Sequence, residues 1–344
     1  MANSTPKQVF GKKNVPNKSY PDEKPLVDIQ IVGRPGKKCG PADVKRLTHL
    51  VNTIAENSPF GRTVLEDAAK AGYTLTMEKQ KDTCGFCEAG SAMIVLNPSM
   101  DDGLLVATLA HESRHAQQFI RGATAEYGCY DVRGEVMHNR ALEADAETAA
   151  AATCHEIRVN SGNAAPWNSF AEDSVDIAEG FMNAAPDPES PVTDKMLQGA
   201  FEGWYKDVDM MEAYEADITD VMQEMMEDED FAPYDEKLKS ADVVNLFCHN
   251  AAGKCYWADR PDVLENADKL SIAPETRDVA EEYFAKREKL TGEKPDPSLN
   301  TLKVRGSEND PATKEAGKTQ QGMRDRKINP VAARIVASLA ARRR

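Results

Sequence analysis

His111, Glu112 and His115 stand in the order H-E-x-x-H inside the stretch DDGLLVATLAHESRHAQQFIRG, residues 101–122. On a helix, residues four apart lie one above the other, so the two imidazoles can grip one metal ion together. Glu112 is one residue round from His111, within reach of a water on that ion. Two nitrogens that fix a metal and a carboxylate that takes a proton from the water it activates make a hydrolytic set, and zinc is the ion such donors suit. A five-residue pattern is open to chance, and a zinc site needs a third protein ligand.

The flanks predict the helix that the pattern requires. Asp101 and Asp102 are capping residues whose charge suits the positive end of a helix dipole. Residues 104–110 contain no breaker, and Gly122 is a stop signal. That run is almost wholly apolar, so the helix should be buried and carry its histidines into a cleft. Ahead of it, residues 73–77 alternate as a strand does, and residues 91–97 form a short apolar run closed by Asn97-Pro98. Cys84-Gly-Phe-Cys87 reads as part of the turn between these two strands. The sheet edge nearest the cleft offers an extended peptide a place as one more strand. Behind the pattern, Glu135 to about Val159 is rich in Ala and Glu and has no Pro or Gly, which predicts a long helix. Its centre, Arg140-Ala-Leu-Glu-Ala-Asp-Ala146, sets acids among small residues that let helices approach closely. Gln118 and Arg121 stand where H-E-x-x-H-x-x-G-x-x-H needs Gly and a third His, so the best third donor is a carboxylate of this segment, Glu143 or Asp145.

These residues resemble the gluzincin zinc metallopeptidases, in which H-E-x-x-H is followed by a helix bearing a ligand Glu. Within that group the sequence is similar to small, uncharacterised bacterial metallopeptidase domains with an L-A-H-E-x-R-H-x-x-Q helix and a later A-L-E-A-D-A segment. The matching residues are Leu109 to Gln118 and Ala141 to Ala146. The resemblance implies His111, His115 and Glu143 as zinc ligands, Glu112 as general base, and a peptide or protein substrate. Arg114 puts a charge where many such peptidases have none. Four residues after Glu143, where many gluzincins have Asp, stands Glu147. Tyr127, Tyr130 and His138 are the nearest candidates to donate to an oxyanion.

The fold class expected is α+β and mostly helical: a minimal zincin-type core with a small sheet beside the H-E-x-x-H helix, then an α-helical acidic half. The chain divides into a disordered basic tail over 1–40, a metallopeptidase-like core over 41–165, and an acidic helical region over 166–290 that packs on the core. Residues 291–344 read as a flexible linker ending in a short basic helix from Pro330, which could dock on a protein partner or an anionic membrane. Residues 171–235 hold 20 Asp/Glu against 2 Lys/Arg, interleaved with Met and aromatic residues at helical spacing, as two or three amphipathic helices would be. An acidic body repels nucleic acid, so no specific nucleic-acid partner is expected. No apolar run reaches transmembrane length and no signal peptide is visible, which leads to an expectation of a cytoplasmic protein. Seven cysteines, an odd number, fit free thiols better than a disulfide framework. Cys84 and Cys87 with Cys248, His249 and Cys255 form a possible second, structural zinc set. The same composition admits another class: an interaction or structural protein on a metallopeptidase-like fold that no longer turns over substrate.

Overall fold

The computed structural model describes residues 19–34, 39–81, 83–124, 129–229, 231 and 237–306. A short strand, β1 (Gln30–Ile31), is followed by the helices α1 (Pro41–Asn57) and α2 (Pro59–Lys70). Both helices carry proline in the first turn, where a missing N–H breaks no helical bond. Strands β2 (Thr74–Met77), β3 (Gly85–Glu88) and β4 (Met93–Leu96) complete a four-stranded sheet in the order β1-β2-β4-β3. β1, β2 and β4 run parallel, whereas β3 is antiparallel to β4, with Phe86 opposite Val95.

Two expectations change here. Residues 84–87 are not a turn: Gly85 to Glu88 form an edge strand, and the reversal is made by a short 3-10 turn at Ala89–Ser91. The reading of 1–40 as disordered is corrected over residues 19–34. Val27 and Ile29 are buried in the core and the next two residues pair with β2. Averaged composition hid the short alternation Val27-Asp-Ile-Gln-Ile31.

The next two helices carry the chemistry. In α3 (Asp102–Ile120), Asp101 caps the start by accepting from the Leu104 amide at 3.1 Å. Arg46 on α1 then holds Asp102 at 2.9 Å, which fixes where the helix begins. The 30-residue helix α4 (Val132–Ser161) is capped by Asp131 and ends at Gly162, whose φ of +72° suits glycine. Its Ala-rich faces are buried on two sides. One cluster joins α1, α2, α3 and the sheet; a second, larger one joins α4 to the rest of the chain.

That remainder consists of α5 (Ala165–Asp173), α6 (Val175–Asn183), α7 (Asp194–Trp204), α8 (Val208–Asp228), α9 (Ser240–Phe247) and α10 (Pro274–Thr291). The stripe read from residues 171–235 is buried as the periodicity requires: Met196, Phe201, Trp204, Met211, Ile218 and Met222 all enter the core. With α10 packed on α8, the architecture is α+β and mostly helical. Residues read as linker also join the fold, since Leu299 and Leu302 are buried and Val304 bridges to Ile272. The basic helix expected from Pro330 lies outside the described residues. Among the described residues no helix is long and apolar enough to cross a membrane.

Candidate metal centre

The spacing of four puts His111 and His115 on one face of α3, with their Nε2 atoms 2.9 Å apart. α4 packs against that face and brings up Glu143, whose Oε2 lies 3.5 Å from His111 Nε2 and whose Oε1 lies 3.4 Å from His115 Nε2. One carboxylate thus faces both ring nitrogens. His111, Glu112 and His115 also bring one donor atom each within 4.8 Å of one another. Glu147, one turn beyond Glu143, reaches the other nitrogen of His111, Nδ1, at 3.3 Å.

Asp145 is turned away. Residues two apart on a helix point in roughly opposite directions, and this one meets Arg114 through two bonds, Nε to Oδ2 at 2.7 Å and Nη2 to Oδ1 at 2.9 Å. Gln118 donates to Oδ2 at 2.7 Å and the Tyr256 hydroxyl to Oδ1 at 2.8 Å. Four donors fill the two oxygens, which leaves no lone pair for a metal. Of the two carboxylates left open by the sequence, the structure brings Glu143 to the histidines and Asp145 to the arginine. Arg114, which departs from the gluzincin pattern, is buried with Asp145 as its counter-ion.

The electrostatics follow from crowding charge into a buried place. Burial opposes the imidazolium of His111, but Glu147 and Glu143 outweigh it and raise its pKa well above the usual value. For His115 burial is likewise overcome, by Glu143. Glu143 moves the other way: burial would raise it, yet His115 and His111 hold it far below the normal carboxylate range. Burial raises Glu112, partly opposed by the two histidines. Among the described residues, Oε2 of Glu143 is buried without a hydrogen-bond partner, and a cation between the carboxylate and the two nitrogens would satisfy it. Donor types, spacing and this orphaned oxygen all fit a zinc ion.

Two neighbours came from elements that gave no warning in the sequence. Tyr214 on α8 lies in the field of Glu143, and burial and that carboxylate raise its pKa well above the usual value. Asp217, one turn on, is buried with its pKa pushed up to about 8 by burial and by Glu143. Their helix reads as a solvated acidic stripe, and nothing in a periodicity says which carboxylates point inward. Of the oxyanion candidates, Tyr127 lies outside the described residues. Tyr130 and His138 face each other at 5.2 Å between ring centroids, with Phe247 on the far side of His138. The cysteine set does not assemble. Among the described residues, the close group of His, Cys and carboxylate donors is His111, Glu112 and His115, and it includes no cysteine. Cys87 instead lies by Tyr73, in the field of Glu112, while Cys248 lies by Tyr256 and Asp145.

A helix pair that sets two imidazoles against a carboxylate beside a small mixed sheet is the donor layout that metal-dependent hydrolases use. Residues 28–257 match the model of one family, described as "Putative metallopeptidase family (DUF6782)". The match spans about two thirds of the chain, which belongs to that family. No curated protein and no solved structure matches the chain.

Proposed function

We propose that the protein is a zinc-dependent peptidase in which His111, His115 and Glu143 hold the ion and Glu112 is the general base. The convergence of both Nε2 atoms on one carboxylate, beside Glu112, carries this reading. Zinc in such a set supplies Lewis acidity, lowering the pKa of water and polarising the scissile carbonyl. The remaining work belongs to the chain. Glu112, its pKa raised by burial, is suited to take a proton from water and return it to the leaving amine near neutral pH. Glu147 steadies His111 through Nδ1.

Substrate geometry follows from the edge strand. Among the described residues β3 pairs with β4 on one side only, and it lies along α3: a Cβ placed on Gly85 would meet Thr108 at 2.7 Å, one turn before Glu112. Cys87 on the same strand lies in the field of Glu112. An extended peptide bonded to the open edge of β3 therefore runs past the general base.

Glu112→Gln separates binding from turnover. The expected result is one zinc per chain in both proteins, with hydrolysis of an unfolded protein substrate reduced about 10²- to 10⁴-fold in the variant. An unaltered chain that holds no zinc would sink the proposal. An unaltered chain that holds zinc yet cleaves no faster than Glu112→Gln would instead support the inactive interaction protein.

A further inference from the structure

We infer that Gln118 is a positioning residue of the metal centre, locked by Asp145, Arg114 and Tyr256 so that it fixes the ring of His115. The inference rests on the zinc reading above and adds the machinery that aims one ligand.

Gln118 lies three residues after His115 and four after Arg114, so it sits between the helix face that bears the histidines and the face that bears the arginine. An amide side chain can be turned either way, but here its partners decide. The nitrogen end lies 2.9 Å from the Leu142 carbonyl and 2.7 Å from Asp145 Oδ2. Both are acceptors only, so that end must be the NH₂. The oxygen end therefore faces His115 Nδ1, at 2.9 Å. An acceptor there requires a hydrogen on Nδ1, which leaves the Nε2 lone pair directed at His111 and Glu143.

The lock is itself anchored at a distance in sequence. Asp145 accepts from Tyr256 as well as from Arg114, and Arg114 donates onward to the carbonyls of Phe247 and His249 at 2.9 and 2.8 Å. Gln118, Asp145, Arg114 and Tyr256 are each no more than 2 % exposed. In so dry a place none of them can exchange its partner for water, so a change at Tyr256 is felt at His115. The chain end of the family match, residue 257, falls just beyond that tyrosine. The segment after α9 is thus a support of the metal centre.

Nitrogen NMR of the histidine rings tests this without any metal, since the chain has six histidines. In metal-free, full-length protein, at an alkaline pH where titration shows the ring to be neutral, His115 is expected as the Nδ1–H tautomer. Gln118→Met keeps the length of the side chain but removes the acceptor, and there a mixture of tautomers is expected. Zinc affinity, read by chelator competition, should fall about 10- to 100-fold in Gln118→Met. The milder Tyr256→Phe should weaken it several-fold. An unchanged tautomer, or zinc affinity within about twofold of the unaltered chain in Gln118→Met, overturns the inference. If Gln118→Met does not fold, Tyr256→Phe decides, and unchanged affinity there overturns it. A chain that binds no zinc fails the metal reading alone, because the tautomer still reports on Gln118.

Discussion

His111, Glu112 and His115 could be found in the sequence because a helix turns a spacing into a face. Glu143 could be narrowed to two carboxylates by the same argument, but the choice needed a partner 31 residues away, since Arg114 claims Asp145. The links from Gln118 to Leu142 and Asp145, and the nearness of Tyr214 to Glu143, are contacts that no local spacing encodes. His138, a sequence candidate for oxyanion stabilisation, lies instead against Tyr130 and Phe247, where burial lowers its pKa to about 4. Between its ordinary 6.5 and about 4, the unfolded chain binds a proton that the folded chain does not. This contribution to stability is complete above the unfolded value and is lost as pH falls through that window, by about 3 kcal/mol in all. His138→Phe keeps an aromatic ring between the two neighbours and removes the titration. Urea unfolding near pH 7 and near pH 4.5 should show a smaller acid loss in the variant than in the unaltered chain. His155 and His249, also lowered by burial, keep the remainder. Equal losses in the two proteins would show that His138 does not carry the acid sensitivity.

The long periodic elements were legible and the short ones were not. α3 and α4 announce themselves by caps, composition and the absence of breakers, and each forms near its expected bounds. β3 and β1 are too short for a period, and the glycine and cysteines around Phe86 look like a turn until the partner strand is known. A helix pair in glycine-mediated contact was equally hidden. α6 and α7 touch backbone to backbone at glycines: a Cβ on Gly199 would stand 2.2 Å from the Gly180 carbonyl, and one on Gly203 would stand 2.4 Å from that of Asp176. No flexible side chain can yield there, so Gly199→Ala must push the helices apart. The expected cost is about 1–3 kcal/mol, seen as a lower thermal midpoint. Gly90→Ala, at a position with nothing within 4 Å, is the control and should change little.

At the scale of the molecule, the sequence suggested a catalytic core followed by an acidic helical region, and the described contacts bear on how independent the two could be. One hydrophobic cluster holds Phe60, Val64 and Ala107 together with Trp204, Met222, Phe247 and Tyr283, so both regions share its interior. Charge crosses the same boundary. Glu215 on α8 accepts from Arg140 on α4 at 2.7 Å, from Arg305 at 2.7 Å and from the Ala273 amide at 2.6 Å. Arg140 is 2 % exposed, and a buried arginine that loses its carboxylate costs about 3–5 kcal/mol. Glu215→Ala should therefore destabilise the whole chain by that order, although Glu215 lies 72 residues beyond Glu143 in sequence. Fluorescence can follow the later region, since all three tryptophans, Trp167, Trp204 and Trp257, lie in it. Under the proposed zinc reading, release of the ion follows the earlier one. If the shared core governs, both signals change at one urea concentration, and in Glu215→Ala both move down together by the same amount. Tryptophan unfolding at lower urea with zinc still bound would mean that α3 and α4 keep their pairing alone, and that the later helices are a separable cover.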